Sequence, residues 1–431
     1  NYIHKKIILN SLIAEKMIAL EMENFFDGKF ESKFYNSFLK GRKEQSMRQL
    51  LYNNNFMEKI VLENEEVNQY YKFSSRTVEL DYINLPDLDT VEKIQYLISE
   101  NISLDSIYQS LWEGETPKKS IKWIDREPDE ILESIFKDSL KVGQIIGPLE
   151  TEEKNFLIMQ ITGWIDQPAI TENQRRLRFN DVSDKLKENK AQKAHSNWVK
   201  NLMSKKNIKF NKEIFQSYAK FAGDYYLRKD SNKKEAINKV IWDQVENLDR
   251  PPIVELDKIE KIDLQSIIFN YNNRDWTIES FNEALLSHPL VFRKKKMGKS
   301  EFPNQLRLAI ADLLTDLEIN KKCYEEGFDK NWVVKSNVGM WKDAYLTKKY
   351  LEIKNLNKLE FLNNVVDSLQ LSYSDKIEIN TVAFENIELT STDMMVTQAG
   401  VPYPIVVPSF PILTDDSKLN YGLKMDLLGE N

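Results

Sequence analysis

The sequence predicts an α+β protein that is mainly helical, and three observations predict it. Amphipathic helical spacing fills residues 6–55 and returns after residue 173. Between these blocks, a β-α-α-β-α-β-β order occupies residues 76–166. From about residue 373 the pattern changes to short strand-like runs punctuated by prolines at 402, 404, 408 and 411. A chain of 431 residues exceeds a single core. It divides into a helical lobe (1–75), a small α+β domain (76–166) and a helical segment completing the lobe (170–228). A second helical lobe (250–355) and an extended or β C-terminal tail (373–431) follow.

The elements follow in order. Ile7, Ile8, Leu12, Ile13, Met17, Leu20 and Phe25 recur three or four apart, which sets a long helix over 6–26. Residues 30–55 and 63–71 read as further helices. Strand-like residues run from 77 to 85, and Pro86 with Asp87 and Asp89 turns the chain into a helix over 90–100. A helix over 104–111, a strand at Trp123-Ile124, a helix over 128–136 and strands over 145–149 and 156–164 complete the domain. Charged helical sequence covers 173–227, and a polar stretch over 229–235 reads as a joint. Pro251 and Pro252 open an extended segment. Thr277 caps a helix over 280–287, and helices follow over 303–327 and 338–351. Residues 13–22, IAEKMIALEM, align with 310–319, IADLLTDLEI, and the match continues through Phe30 with Phe328, Gly41 with Gly339 and Tyr52 with Tyr350. Either one helical unit is repeated around the α+β domain, or two generic amphipathic helices align by chance.

Composition excludes several functions. Lys plus Arg is 60 and Asp plus Glu 67, a net charge of −7, so there is no chain-wide nucleic-acid footprint and no nucleic-acid partner is expected. The single cysteine, Cys323, excludes an internal disulfide and a cysteine zinc site. No uninterrupted apolar run is long enough for a transmembrane helix. His4, His195 and His288 stand far apart without ligand partners at metal spacing, so no metal is expected. Met297-Gly298-Lys299-Ser300 lacks the earlier glycine and preceding strand of a phosphate-binding loop. The first residue is Asn1, which leads us to expect a signal peptide or lipid anchor upstream.

The most specific stretch is 78–164. VELDYINL (78–85), SIKWIDREPDEILESIF (120–136), LKVGQIIGPLETEE (140–153) and NFLIMQITGWI (155–165) resemble a parvulin-type (PpiC-type) peptidyl-prolyl isomerase domain. LIAEKMIALE, LENEEVNQYY and AQKAHSNWVKNLMSKKNIKFN resemble the helical lobe of SurA-type and PrsA-type exported folding factors. The likeness covers residues 8 to about 215, and more weakly 275–352. It implies a periplasmic or envelope chaperone with mainly helical lobes around one small parvulin-like α+β domain. Unfolded or nascent exported polypeptides would be its partners.

Rotation of an X-Pro bond crosses a barrier of about 20 kcal/mol. An apolar, dry pocket that favours the twisted amide lowers it without a cofactor. The resemblance puts the family's two catalytic-site histidines at Tyr82 and Leu157, so both are replaced. It puts the substrate-binding walls at Trp123, Ile131, Leu132, Phe136 and Phe156, which ordinary core packing explains equally well. The loop after Leu111 lacks the family's Gly-Gly-Asp run and carries Lys118-Lys119-Ser120 instead. These departures predict a rotamase that is weak or lost. Met17, Met22, Phe25, Phe26, Phe34, Tyr35 and Phe38 are candidates for a client-holding cradle, or for core between lobes. Residues 376–431, with strand-like runs at 376–389 and 404–407, are a candidate edge-docking element for an envelope partner. The alternative function is therefore a non-catalytic subunit of an envelope or secretion assembly.

Overall fold

A computed structural model describes residues 2–26, 32–125, 127–151, 155–227, 263–294, 297–356, 359–388, 403, 406–417 and 419. The chain is α+β and mainly helical. In chain order it begins with helices α1 (Tyr2–Phe25), α2 (Lys33–Tyr52) and α3 (Asn64–Tyr71). Strand β1 (Arg76–Leu85), α4 (Leu88–Ser99), α5 (Leu104–Leu111), β2 (Lys118–Lys122) and α6 (Asp129–Ile135) come next. They lead to β3 (Ile145–Glu150), β4 (Phe156–Asp166) and the long α7 (Glu172–Met203). Then come β5 (Ile208–Phe210), α8 (Lys212–Tyr226), β6 (Ile267–Tyr271), β7 (Arg274–Thr277) and α9 (Ile278–Ser287). The last helices are α10 (Phe302–Glu325), α11 (Trp332–Lys354), α12 (Leu359–Tyr373) and α13 (Thr381–Asn386). Two compact units result, one mainly Asn55–His195 and the other Asn1–Asn54 with Ser196–Gln398 and Pro402–Asn431.

The unit Asn55–His195 is built on an antiparallel sheet in the order β2-β1-β4-β3. Alternation along β1 and β4 gives the sheet two apolar faces. Ile83, Leu85 and Ile158 pack on α4 and α5 through Val91, Ile94, Leu104 and Ile107. Val78, Leu80, Met159 and Ile161 face the other way, against α3, α6 and α7. Asp87 and Ser103 cap α4 and α5 by accepting from the backbone N–H groups of Thr90 and Ser106. Gly147, at φ 108°, makes the tight passage within β3, where a Cβ would collide with the Leu157 carbonyl. Lys118-Lys119-Ser120, expected as loop, pairs with Asp81, Leu80 and Glu79 as strand β2, and Trp123 follows in the turn.

The other unit contains a three-stranded antiparallel sheet, β5-β6-β7; β6 and β7 fall within the expected second helical lobe and β5 within the helical segment before it. The missed signal is Asn272-Asn273, both at positive φ (50° and 63°), which closes the β6-β7 hairpin. Phe215, Phe269, Phe281, Phe302 and Leu306 join α8, α9 and α10 to this sheet. Thr277 caps α9 by accepting from the Ser280 N–H, and Asn331 starts α11 six residues earlier than the periodicity predicts, at Trp332. A buried polar hub ties α2 to α9 and α10. The Glu44 carboxylate bonds His288 Nε2 at 2.6 Å and accepts from Asn320 Nδ2 (2.8 Å) and the Tyr324 hydroxyl (3.0 Å).

The tail differs from the strand-rich segment expected. Asn380 accepts from the Ala383 N–H and starts helix α13 where a strand run was read, and no described residue after 373 lies in a strand. Short polar side chains at a cap override the β-like alternation of 376–389. The described tail residues join the helical core: Leu413 packs with Ala14, Met17, Ile18 and Val366, while Asn10 and Ser11 donate to the carbonyls of Asp416 and Thr414. The joint at 229–235, Pro251, Pro252 and residues 404–405 of run 404–407 lie outside the described residues.

Candidate functional site

Tyr82 and Leu157 stand on adjacent strands, Tyr82 opposite Met159 and Leu157 opposite Asn84. Residues 157 and 159 share a face, so both positions belong to the side of the sheet that meets α3, α6 and α7. Trp123, Ile131, Leu132 and Phe136 lie on this side as well, only 5–8% exposed. Phe156 does not join them. As the neighbour of Leu157 on a pleated strand it points to the opposite face, against α4 and α5.

The expected walls are closed by the unit's own side chains. The Tyr70 ring lies 5.3 Å from Trp123, and Phe73 lies 6.4 Å from Phe136. Val67 from α3 and Val182 and Leu186 from α7 complete the cluster. Lys185 Nζ stands 6.0 Å over the Trp123 ring and donates to the carbonyls of Ile124 and Asp125, which pins the turn after β2 to α7. Trp123, Leu132 and Phe136 are therefore core.

An opening of about 1260 Å³ remains beside this core, and of the seven expected site residues only Ile131 and Leu157 line it. Its floor adds Ile124, Pro128 and Leu149. Its walls are acidic. Asp129 and Glu130 occupy the first turn of α6, where the helix dipole favours negative charge. Asp181, Asp184 and Glu188 recur at helical spacing on one face of α7, and Glu150 ends β3. Asp129 binds Lys193 at 2.8 Å, which raises the lysine's pKa, and Glu127 binds Lys119 at 2.8 Å. The acidic periodicity of 181, 184 and 188 was present in the sequence and is the signal that finds this cleft. Among the described residues no His, Cys, Asp and Glu cluster is arranged to hold a metal ion.

The proposed cradle residues behave mostly as core. Met17, Met22, Tyr35 and Phe38 are buried in the helical unit, where Phe38 packs edge-on to Trp341 at 5.8 Å. Phe26 and Phe34 are partly buried against the same cluster, and only Phe25 is exposed.

No family model matches the chain, and no curated protein matches its sequence. Among solved structures, the foldase protein PrsA of Streptococcus pneumoniae is similar at 12% identity, over 44% of this chain and 85% of that one, with a TM-score of 0.21. The likeness is weak and partial. No described helix is long and apolar enough to cross a membrane.

Proposed function

We propose that this chain is an exported folding factor that holds unfolded polypeptide, with a parvulin-like unit that no longer rotates prolyl bonds. One observation carries the reading: the sheet face beside Tyr82 and Leu157 is filled by Tyr70, Phe73, Val182 and Leu186, while an apolar-floored cleft stays open next to it. Catalysis of rotation needs a vacant dry pocket for the proline ring. Here the walls expected to form it already touch one another, and Tyr82 and Leu157 supply no imidazole pair. The β2-β1-β4-β3 sheet, with α4 and α5 on one face and α6 on the other, fits the resemblance in sequence over 78–164. The cleft is large enough for an extended segment to lay side chains on Ile124, Ile131, Leu149 and Leu157.

The test combines two measurements on the full chain. Aggregation of a chemically unfolded client should be suppressed at near-stoichiometric amounts, and exchange NMR on an Ala-Pro peptide should show no acceleration of cis/trans interconversion. Acceleration at catalytic amounts would overturn the loss of rotamase activity, and an unprotected client would overturn the holding role.

A further inference from the structure

We infer that the cleft of the Asn55–His195 unit selects cationic polypeptide: segments in which lysine or arginine alternates with apolar residues. This deepens the proposed holding function and rests on it. Charge supplies the first requirement. Seven carboxylates line the cleft against one ammonium, that of Lys185, which already donates to the carbonyls of Ile124 and Asp125. Glu127 and Asp129 are paired with lysines, whereas Glu130, Glu150, Asp181, Asp184 and Glu188 form no ion pair among the described residues. Glu188 Oε1 is buried without a hydrogen-bond partner. A buried acceptor in this state leaves desolvation uncompensated, and an ammonium or guanidinium brought by a ligand compensates it.

The floor supplies the second requirement. Ile124, Pro128, Ile131, Leu149 and Leu157 form an apolar surface beneath the acidic walls. An extended strand points successive side chains to opposite sides at about 3.3 Å per residue. A segment alternating basic and apolar residues therefore places the apolar ones on the floor and lets the cations reach the walls. A polyanionic segment meets like charge on α6, β3 and α7 together.

The discriminating experiment is fluorescence anisotropy with the full chain and three unstructured peptides of one design. The first alternates Lys and Leu around a single Pro, and the others replace every Lys by Gln or by Glu. The Lys peptide should bind about tenfold more tightly than the Gln peptide, the size expected from a few partly exposed charge pairs, and the Glu peptide more weakly still. The preference should shrink in high salt. It should collapse in the triple variant Glu130→Gln, Asp184→Asn, Glu188→Gln. It should persist when the same charge is removed outside the cleft by Glu79→Gln, Glu100→Gln and Glu113→Gln. Hydrogen exchange provides a second readout, with the Lys peptide protecting residues 181–192 of α7 in the unaltered chain. Equal binding of the three peptides, equal loss of preference in both triple variants, or absence of that protection would overturn the inference. If the Gln peptide and an unfolded client are still held while charge preference is absent, the holding function stands and this inference alone falls. If no peptide and no client is held, both fall.

Discussion

The two mid-helix glycines aligned by the sequence repeat should respond to the same substitution with opposite signs. Gly41 lies in α2 and Gly339 in α11, both in helical conformation with negative φ. Alanine in place of glycine inside a helix gains about 0.5–1 kcal/mol from backbone entropy and propensity. At Gly339 a Cβ meets nothing within 4 Å, so Gly339→Ala should keep that whole gain. At Gly41 the Cβ falls on the carbonyl of Ser287, the last residue of α9. Relief requires α9 to move away, at about 1–3 kcal/mol for overpacking. The movement also draws His288, the next residue, from Glu44 one turn beyond Gly41 on α2, a charge-assisted bond of 2.6 Å. Losing it adds about 1.5–3 kcal/mol. Gly41→Ala should therefore destabilise this unit by about 1.5–5.5 kcal/mol net, against a stabilisation of about 0.5–1 kcal/mol for Gly339→Ala. Native-state hydrogen exchange of α2 and α11 amides across a urea series reads this unit separately from the other. A shared sign for the two variants, or a Gly41→Ala protein as stable as the parent, would refute the close approach of α9 to α2.

Other perturbations test the remaining assignments. Trp123→Ala and Phe136→Ala should each cost about 3–5 kcal/mol of stability in the Asn55–His195 unit, as core truncations, read by urea unfolding. An unchanged midpoint would mean that these rings line open space. Burial pushes the Glu15 carboxyl from 4.5 up to about 7, with the Asp343 carboxylate adding to it. A carboxyl raised on folding contributes stability that is complete below its ordinary value and lost as pH rises through about 7. Glu15→Gln should therefore match the parent near pH 4 and exceed it at pH 8. The interval sets a ceiling of about 3.4 kcal/mol, which residual solvent contact reduces to about 1–2 kcal/mol; a pH-independent difference would contradict the assignment. For Glu44, burial alone would raise the carboxyl, but the His288 bond and charge, Lys40 and the Tyr324 hydroxyl outweigh it and hold the pKa below 4.5. Its contribution is present above the ordinary value and fades as pH falls through the lower folded value. Glu44→Gln should flatten that acid limb, and Glu44→Ala, which strips the buried His288 and Asn320 and the more exposed Tyr324 of their shared partner, should cost about 3–5 kcal/mol by thermal or urea unfolding. An acid limb unchanged in Glu44→Gln would place the titration elsewhere.

Legibility in the sequence follows the strength of the local signal. The helices α4 and α9 were readable because apolar spacing and a capping or turn residue agree, at Asp87 and at Thr277, and α1 from apolar spacing alone. Strand β2 was not, since its residues KKSIK bury only Ile121 and take their conformation from pairing with β1. The β6-β7 hairpin was overlooked because its turn is Asn-Asn rather than a glycine pair. At the cleft, the resemblance named Ile131 and Leu157 among its positions, but it put Phe156 on the wrong side of a pleat. It also gave no indication that α3 and α7 fold onto the same sheet face, which rests on contacts distant in sequence such as Tyr70 with Trp123 and Glu66 with Lys190.

One helix, α7, shapes both the filled sheet face and the acidic cleft. On α7, Val182 and Leu186 stand one turn apart and pack into the sheet cluster beside Trp123, where a proline ring would otherwise need space. Rotated around the same helix, Asp181, Asp184 and Glu188 line the neighbouring cleft. Between these two sets, Lys185 fastens the helix to the turn at Ile124 and Asp125. Filling the sheet face and charging the cleft beside it are thus consequences of a single placement, so a shift in α7 that opened the first would also dismantle the second.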